Sequence, residues 1–171
     1  MFPRCVTEYR VSPTFTTGAA DVPLVTLTPV ELDVDDTEDL LTLYREYGWW
    51  DERDREDVAH ALANTDLALG LRDDDELVAA ARVLTDFVYY ARVYDVVVAT
   101  DRRGDGVGRT LLDALTDHER LDDVNPVLLC REGLVPFYES AGFERYPESV
   151  AVPDDDAPDE EDLVTLIHTT G

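Results

Sequence analysis

Two short segments hold the side chains whose types and spacing could do chemistry. The first runs from Val96 to Leu112 and reads Val-Val-Val-Ala-Thr-Asp-Arg-Arg-Gly-Asp-Gly-Val-Gly-Arg-Thr-Leu-Leu. It joins an apolar run, a basic glycine turn and a helix start. Gly104, Gly106 and Gly108 let the backbone approach a ligand with no Cβ in the way. The unbonded N–H groups of a first helical turn, at the positive end of the helix dipole, can receive a phosphate. Arg103, with Arg102 and Arg109, adds fixed charge there. The second segment, Leu134 to Phe143, reads Leu-Val-Pro-Phe-Tyr-Glu-Ser-Ala-Gly-Phe and sets Tyr138 on a short helix. A tyrosine with an ordinary pKa of about 10 is protonated at neutral pH and can give its proton to a departing anion.

Each segment also has a plain structural reading. A glycine turn can simply start a helix, and Tyr138 can pack in a core with its hydroxyl on the backbone. Two other phosphate binders fit poorly. A P-loop requires Gly-Lys-Ser/Thr, and this chain has no Lys. A dinucleotide fold puts its glycine turn after the first strand, with an acidic residue about twenty positions on. Here the turn follows several strands, and Asp122 and Asp123 stand in a polar loop after a helix.

The chain has 171 residues, 44% of them apolar and 31% charged. That is enough for one domain with a real core. No apolar run is long enough to span a membrane, and no basic-then-apolar leader is seen at the start. Net charge is −25, from 39 acidic and 14 basic residues, all the latter Arg. Dense Asp without Lys resembles the bias of halophilic microbes with salt-filled cytoplasm. Molar salt cuts the Debye length to about 3 Å, so surface carboxylates stop repelling one another. The alternative is an ordinary acidic protein. Either way the charge argues against nucleic acid and anionic membranes as partners. Cys5 and Cys130 form no CxxC, and His60, His118 and His168 show no metal-ligand spacing. A reducing cytoplasm and no metal site are expected.

The elements that must position the two segments follow from periodicity and turn residues. Residues 1–24 have no clear period and are expected to form an irregular arm, with a strand near Cys5–Val11; the domain is expected over 25–171. A strand at Val25–Leu27 precedes a helix capped from Asp35, Asp36 or Thr37 and carrying Leu40, Leu41, Leu43, Tyr44 and Tyr47. A second helix covers Asp54–Ala63. Strands are expected at Leu67–Leu71, Leu77–Leu84 and Tyr89–Ala99, then a helix over 107–120 with Val107, Leu111, Leu112 and Leu115 on its apolar face. Strand Val127–Cys130 leads to the Tyr138 helix, where Gly142-Phe143 serve as C-cap and core anchor. Strands near Ser149–Val152 and Leu163–His168 flank the acidic loop Pro153–Asp162. The order is β-α-α-β-β-β-α-β-α-β-β, a mixed α/β arrangement.

These motifs and this order resemble the GNAT superfamily of acyl-CoA N-acyltransferases, over roughly residues 25–171. Arg103, Gly104-Asp105, Gly106, Val107, Gly108 match the superfamily's acyl-CoA signature. The resemblance implies a mostly antiparallel central sheet flanked by helices and an N-acetyltransferase. Acetyl-CoA would be its co-substrate and a small-molecule or peptide amine its acceptor, with homodimers a common assembly. It implies pyrophosphate on Arg103, Gly104, Asp105, Gly106, Val107, Gly108 and Arg109. It also implies that the main chain of Val97, Val98 and Ala99 pairs with the pantetheine arm where two strands splay. Leu129 to Tyr138, with Cys130 and the Val-Pro-Phe-Tyr run, is similar to the serotonin N-acetyltransferase branch. By that match Tyr138 protonates the CoA thiolate. The branch's two base histidines fall on Arg92 and Tyr94, and neither is a neutral base. Proton removal is left to water, Asp86 or Asp95, and the acceptor of that branch does not carry over. Trp49-Trp50 and Tyr89-Tyr90 could wall an acceptor pocket or pack in the core. The missing base also keeps open a non-catalytic acyl-CoA-binding sensor or interaction module.

Overall fold

The computed structural model describes residues 27–48, 50, 52–146 and 163–169. The expected arm over 1–24, the Ser149–Val152 strand, the acidic Pro153–Asp162 loop and Trp49 lie outside those residues. The elements are β1 (Leu27–Glu31), α1 (Thr37–Arg45), α2 (Arg55–Ala63), β2 (Leu67–Asp73), β3 (Glu76–Thr85), β4 (Ala91–Val98), α3 (Val107–Thr116), β5 (Pro126–Arg131), α4 (Val135–Ser140), β6 (Phe143–Arg145) and β7 (Leu163–His168). The expected order holds through α4 and again at β7; β6, directly after Gly142, is a strand other than the one expected at Ser149–Val152.

One seven-stranded sheet runs β1-β2-β3-β4-β5-β7-β6. Every neighbouring pair is antiparallel except β4 with β5. That parallel pair needs a crossover, and α3 supplies it. The mixed, mostly antiparallel α/β architecture is therefore the one expected. Val78, Ala79, Ala80 and Ala81 in β3 are all buried, so both faces of the sheet centre are covered. Helix α1 packs Leu40, Leu41, Leu43 and Tyr44 inward, and α3 packs Leu111, Leu112 and Leu115, none of them more than 2% exposed. The small alanines of β3 let helices approach from both sides.

Local chemistry sets the helix ends. Asp33 and Asp36 form a reciprocal capping box ahead of α1, and Asp54 caps α2 by accepting from the Asp57 N–H at 2.9 Å. Helix α3 stops at Thr116, four residues short of expectation. The Thr116 hydroxyl donates to the Leu112 carbonyl at 3.0 Å, and His118 Nδ1 accepts from the Arg120 N–H to open a separate turn.

Candidate functional site

The site begins where β4 leaves its neighbour. β4 and β5 pair only at Ala91 with Pro126 and Arg92 with Val127. Beyond that they diverge around a cleft of about 760 Å³ whose walls include Trp50, Arg92, Tyr94, Cys130 and Tyr138. A bulge in β4 lies beside the opening. Tyr94 pairs with Arg82 and Val97 with Ala80, so Asp95 and Val96 together oppose the single Ala81. Asp95 has φ 51°, a left-handed conformation uncommon for a residue with a side chain. Bulges of this kind bend a strand and re-aim its groups.

Asp95 is held there by charge. Arg53 meets both its carboxylate oxygens at 3.1 and 3.2 Å, Arg82 donates at 2.6 and 2.9 Å, and the Tyr44 hydroxyl donates at 2.9 Å. Burial alone would raise the Asp95 pKa. The hydrogen bonds from Arg53 and the charges of Arg82 and Arg53 outweigh it, holding the carboxyl below its ordinary value. The Arg53 guanidinium also lies 4.5 Å from the Tyr44 ring and 4.5 Å from the Trp50 ring. The segment after α1 is thereby fastened to the bulge. Nothing in the sequence marks this cluster, because its members lie far apart along the chain.

The glycine turn has the backbone its composition implies. Gly104 has φ 90° and Gly106 φ 84°, a region that favours glycine. Gly106 caps α3 with no side-chain hydrogen bond, leaving first-turn N–H groups for another acceptor. A Cβ added at Gly108 would come within 3.1 Å of Phe137 and 3.3 Å of Val98. The first turn of α3 thus packs directly on β4 and α4, and the two segments singled out by sequence are brought into contact. Arg102 is bound by Asp73 and Arg109 by Asp113, each at 2.7 Å. Arg103 has no carboxylate partner among the described residues and stacks 4.7 Å from the Tyr47 ring.

Tyr47 is the group that sequence reading missed, having placed it only on the apolar face of α1. Ala99 N–H donates to the Val78 carbonyl of β3 at 2.8 Å. The N–H and C=O of Val98 therefore point the other way, toward the edge that β5 has left. The Tyr47 hydroxyl accepts from that N–H at 2.9 Å and donates to that carbonyl at 2.7 Å. Val97 stays in register with Ala80.

Tyr138 is 6% exposed, lines the cleft, and packs edge-on against Phe137 and Phe143. No described residue hydrogen-bonds its hydroxyl. Burial, then the neighbouring Cys130 and Tyr47, raise its pKa above the ordinary value. Burial, with Glu132 beside it, pushes the Cys130 thiol up to about 11, so it is a thiol and a poor nucleophile at neutral pH. Asp86 caps the turn between β3 and β4, accepting from the N–H groups of Val88, Tyr89 and Tyr90 at 2.8 to 3.0 Å. Those bonds lower its pKa. Asp86 and Asp95 are both engaged in structural contacts and are poorly suited to take a proton. Arg92 lies over Tyr94, 5.8 Å from the ring, and both line the cleft with Trp50. Tyr89 and Tyr90 are 78% and 77% exposed, outside core and cleft alike.

Comparison with known proteins gives a family and a fold. Residues 34–143 match the family described as Acetyltransferase (GNAT) family. An uncharacterized N-acetyltransferase, ycf52, from Pyropia yezoensis is 30% identical over 106 residues, covering 59% of this chain and 61% of that protein. The chain thus spans about three fifths of that relative's length. Among solved structures, the ribosomal-protein-S18-alanine N-acetyltransferase of Escherichia coli superposes with a TM-score of 0.68 at 19% identity, over 85% of this chain and 97% of that one. The PaiA N-acetyltransferase of Thermoplasma acidophilum, in complex with coenzyme A, gives 0.60 at 16% identity, over 82% and 98%.

Proposed function

The chain belongs to the acetyltransferase (GNAT) family, and from that premise we propose that it moves an acetyl group from acetyl-CoA to a primary amine by direct attack in a ternary complex. The observation that carries the reading is the contact through Gly108. It packs the first turn of α3 on Val98 and on Phe137, the residue before Tyr138, and Tyr138 lines the cleft.

Pyrophosphate would sit on Arg103 and the main chain of Gly104, Asp105, Gly106, Val107, Gly108 and Arg109. The pantetheine arm would run along Val97, Val98 and Ala99. Only Val98 offers both polar groups toward the open edge, so its bonds to Tyr47 must be exchanged for bonds to the arm. The same movement would release Arg103 for phosphate. The amine nitrogen attacks the thioester carbon, a main-chain N–H of β4 near Val98 polarises the carbonyl, and the C–S bond breaks. The departing thiolate takes the Tyr138 proton. The amine proton leaves to water, since Asp95, the one carboxylate on the cleft wall among the described residues, is already engaged.

Acetyl-CoA at a hundred times its Kd is expected to stabilise the fold by about 2.7 kcal/mol, or roughly 5–10 °C in Tm for a chain of this size. NAD and ATP should do much less, and Arg103→Ala should shrink the shift. A melt series in molar KCl reads this directly. A folded protein with no shift would show that the glycine turn is only a turn. Cys130→Ala should keep kcat within about threefold, because a thiol with a pKa of about 11 carries little thiolate at neutral pH. An acetylated Cys130 in the mass spectrum, or loss of turnover in the variant, would replace direct attack with a covalent route.

A further inference from the structure

Resting on the acetyl-transfer reading, the charges of the cleft narrow its acceptor. Among the described residues, the charged groups on its wall are Arg92, Asp95 and Arg131. Asp95 is neutralised from behind by Arg53 and Arg82. Among the described residues the wall therefore offers no free carboxylate to an incoming cation, although the chain as a whole carries −25. A polyamine or another polycation would find no unpaired carboxylate among those residues.

Arg92 stands out against that background. Most described arginines pair with a carboxylate. Arg45 closes the C-terminal end of α1, where the helix dipole favours a cation. Arg103 and Arg92 also have no carboxylate partner among the described residues, and they lie near opposite ends of β4. Arg103 belongs to the glycine turn. Arg92 sits at the vertex where β4 and β5 still pair, roughly 20 Å along the strand from Val98. Its neighbour Tyr94 gives the guanidinium a ring face and no counter-charge. Leaving a guanidinium unpaired on a cleft wall, in a chain rich in carboxylates, reserves it for an anion that arrives with the substrate.

We propose that the acceptor is a primary amine bearing a carboxylate, and that Arg92 binds that carboxylate while the amine points back toward Val98 and Tyr138. An amino acid and the acidic side chain of a peptide are two sources of the same group.

The test follows CoA release with matched acceptors, in the lowest KCl that keeps the protein folded, since screening weakens such a contact. The pairs are glutamate against glutamate diamide, and a peptide beginning Ala-Glu against one beginning Ala-Gln, with spermidine alongside. In at least one pair the acid should have a KM tenfold or more below its amide. Arg92→Gln should raise the KM for that acid tenfold or more, with kcat, the KM for acetyl-CoA and the Tm little changed. Whichever pair responds identifies the source. Amides or spermidine served as well as the acids, or an Arg92→Gln effect equal for acid and amide, would overturn the proposal and leave acetyl transfer standing. No CoA release with any member, from protein that acetyl-CoA stabilises, would overturn this inference, and only silence across a broad amine panel would remove acetyl transfer as well.

Discussion

Tyr138→Phe is expected to lower kcat by about 10²–10⁴, the range for a positioned general acid. The KM for acetyl-CoA and the Tm should move little. The ring fills its place between Phe137 and Phe143, and Phe keeps that packing. No described residue bonds the hydroxyl, so its removal strands no partner. The usual ambiguity of a buried tyrosine is thus reduced: the variant removes a proton donor and little else. Because the Tyr138 pKa lies above the ordinary 10, its proton is held across the neutral range. Turnover should therefore not fall from loss of this proton as pH rises to about 9. A folded Tyr138→Phe enzyme with unchanged kcat would return Tyr138 to the core as a packing residue.

Legibility differed between the parts of this site for physical reasons. The glycine turn was readable because a left-handed backbone at Gly104 and Gly106 is what glycine permits, and the signal is local. Helix α3 was readable from Val107, Leu111, Leu112 and Leu115, whose spacing places them on one buried face. Its early end was not, because the Thr116 back-bond and the His118 turn compete with the helix only once the chain is folded. The short strand Phe143–Arg145 is hidden behind the reading of Gly142-Phe143 as C-cap and core anchor, since three residues carry no period. The bulge left no trace in composition because its left-handed residue is Asp95, not glycine. The partners of Asp95 and Val98, namely Arg53, Arg82 and Tyr47, are joined to them by folding alone. The site was thus visible where the backbone demands a residue type, and invisible where distant side chains complete it.

That completion gives the other large prediction. Asp95→Asn should destabilise the protein by about 3 kcal/mol, the low end for breaking a buried pair because Arg53 is partly exposed. For a chain of this size the Tm would fall by roughly 6–12 °C. Asn is the informative choice, since it tolerates the left-handed backbone at this position and changes mainly the charge. Two guanidiniums then face a neutral amide. The sign of the pH dependence follows from the depressed carboxyl of the folded state. The stability supplied by ionised Asp95 is fully present above the unfolded value of about 3.9 and is lost as pH falls through the lower folded value. The gap between wild type and variant should be constant from about pH 5 upward and close under acid. Salt should close it less than it closes surface pairs, because the Asp95 side chain is only 9% exposed. Since Arg53 and Asp95 also fasten the Trp50 segment to the bulge, kcat/KM should fall in the folded variant too. Denaturant melts across pH, run beside the kinetics, decide the matter. An equal Tm at pH 7 would mean the bulge is held by its backbone alone, and a lower Tm with full activity would separate the cluster's structural role from the shape of the cleft.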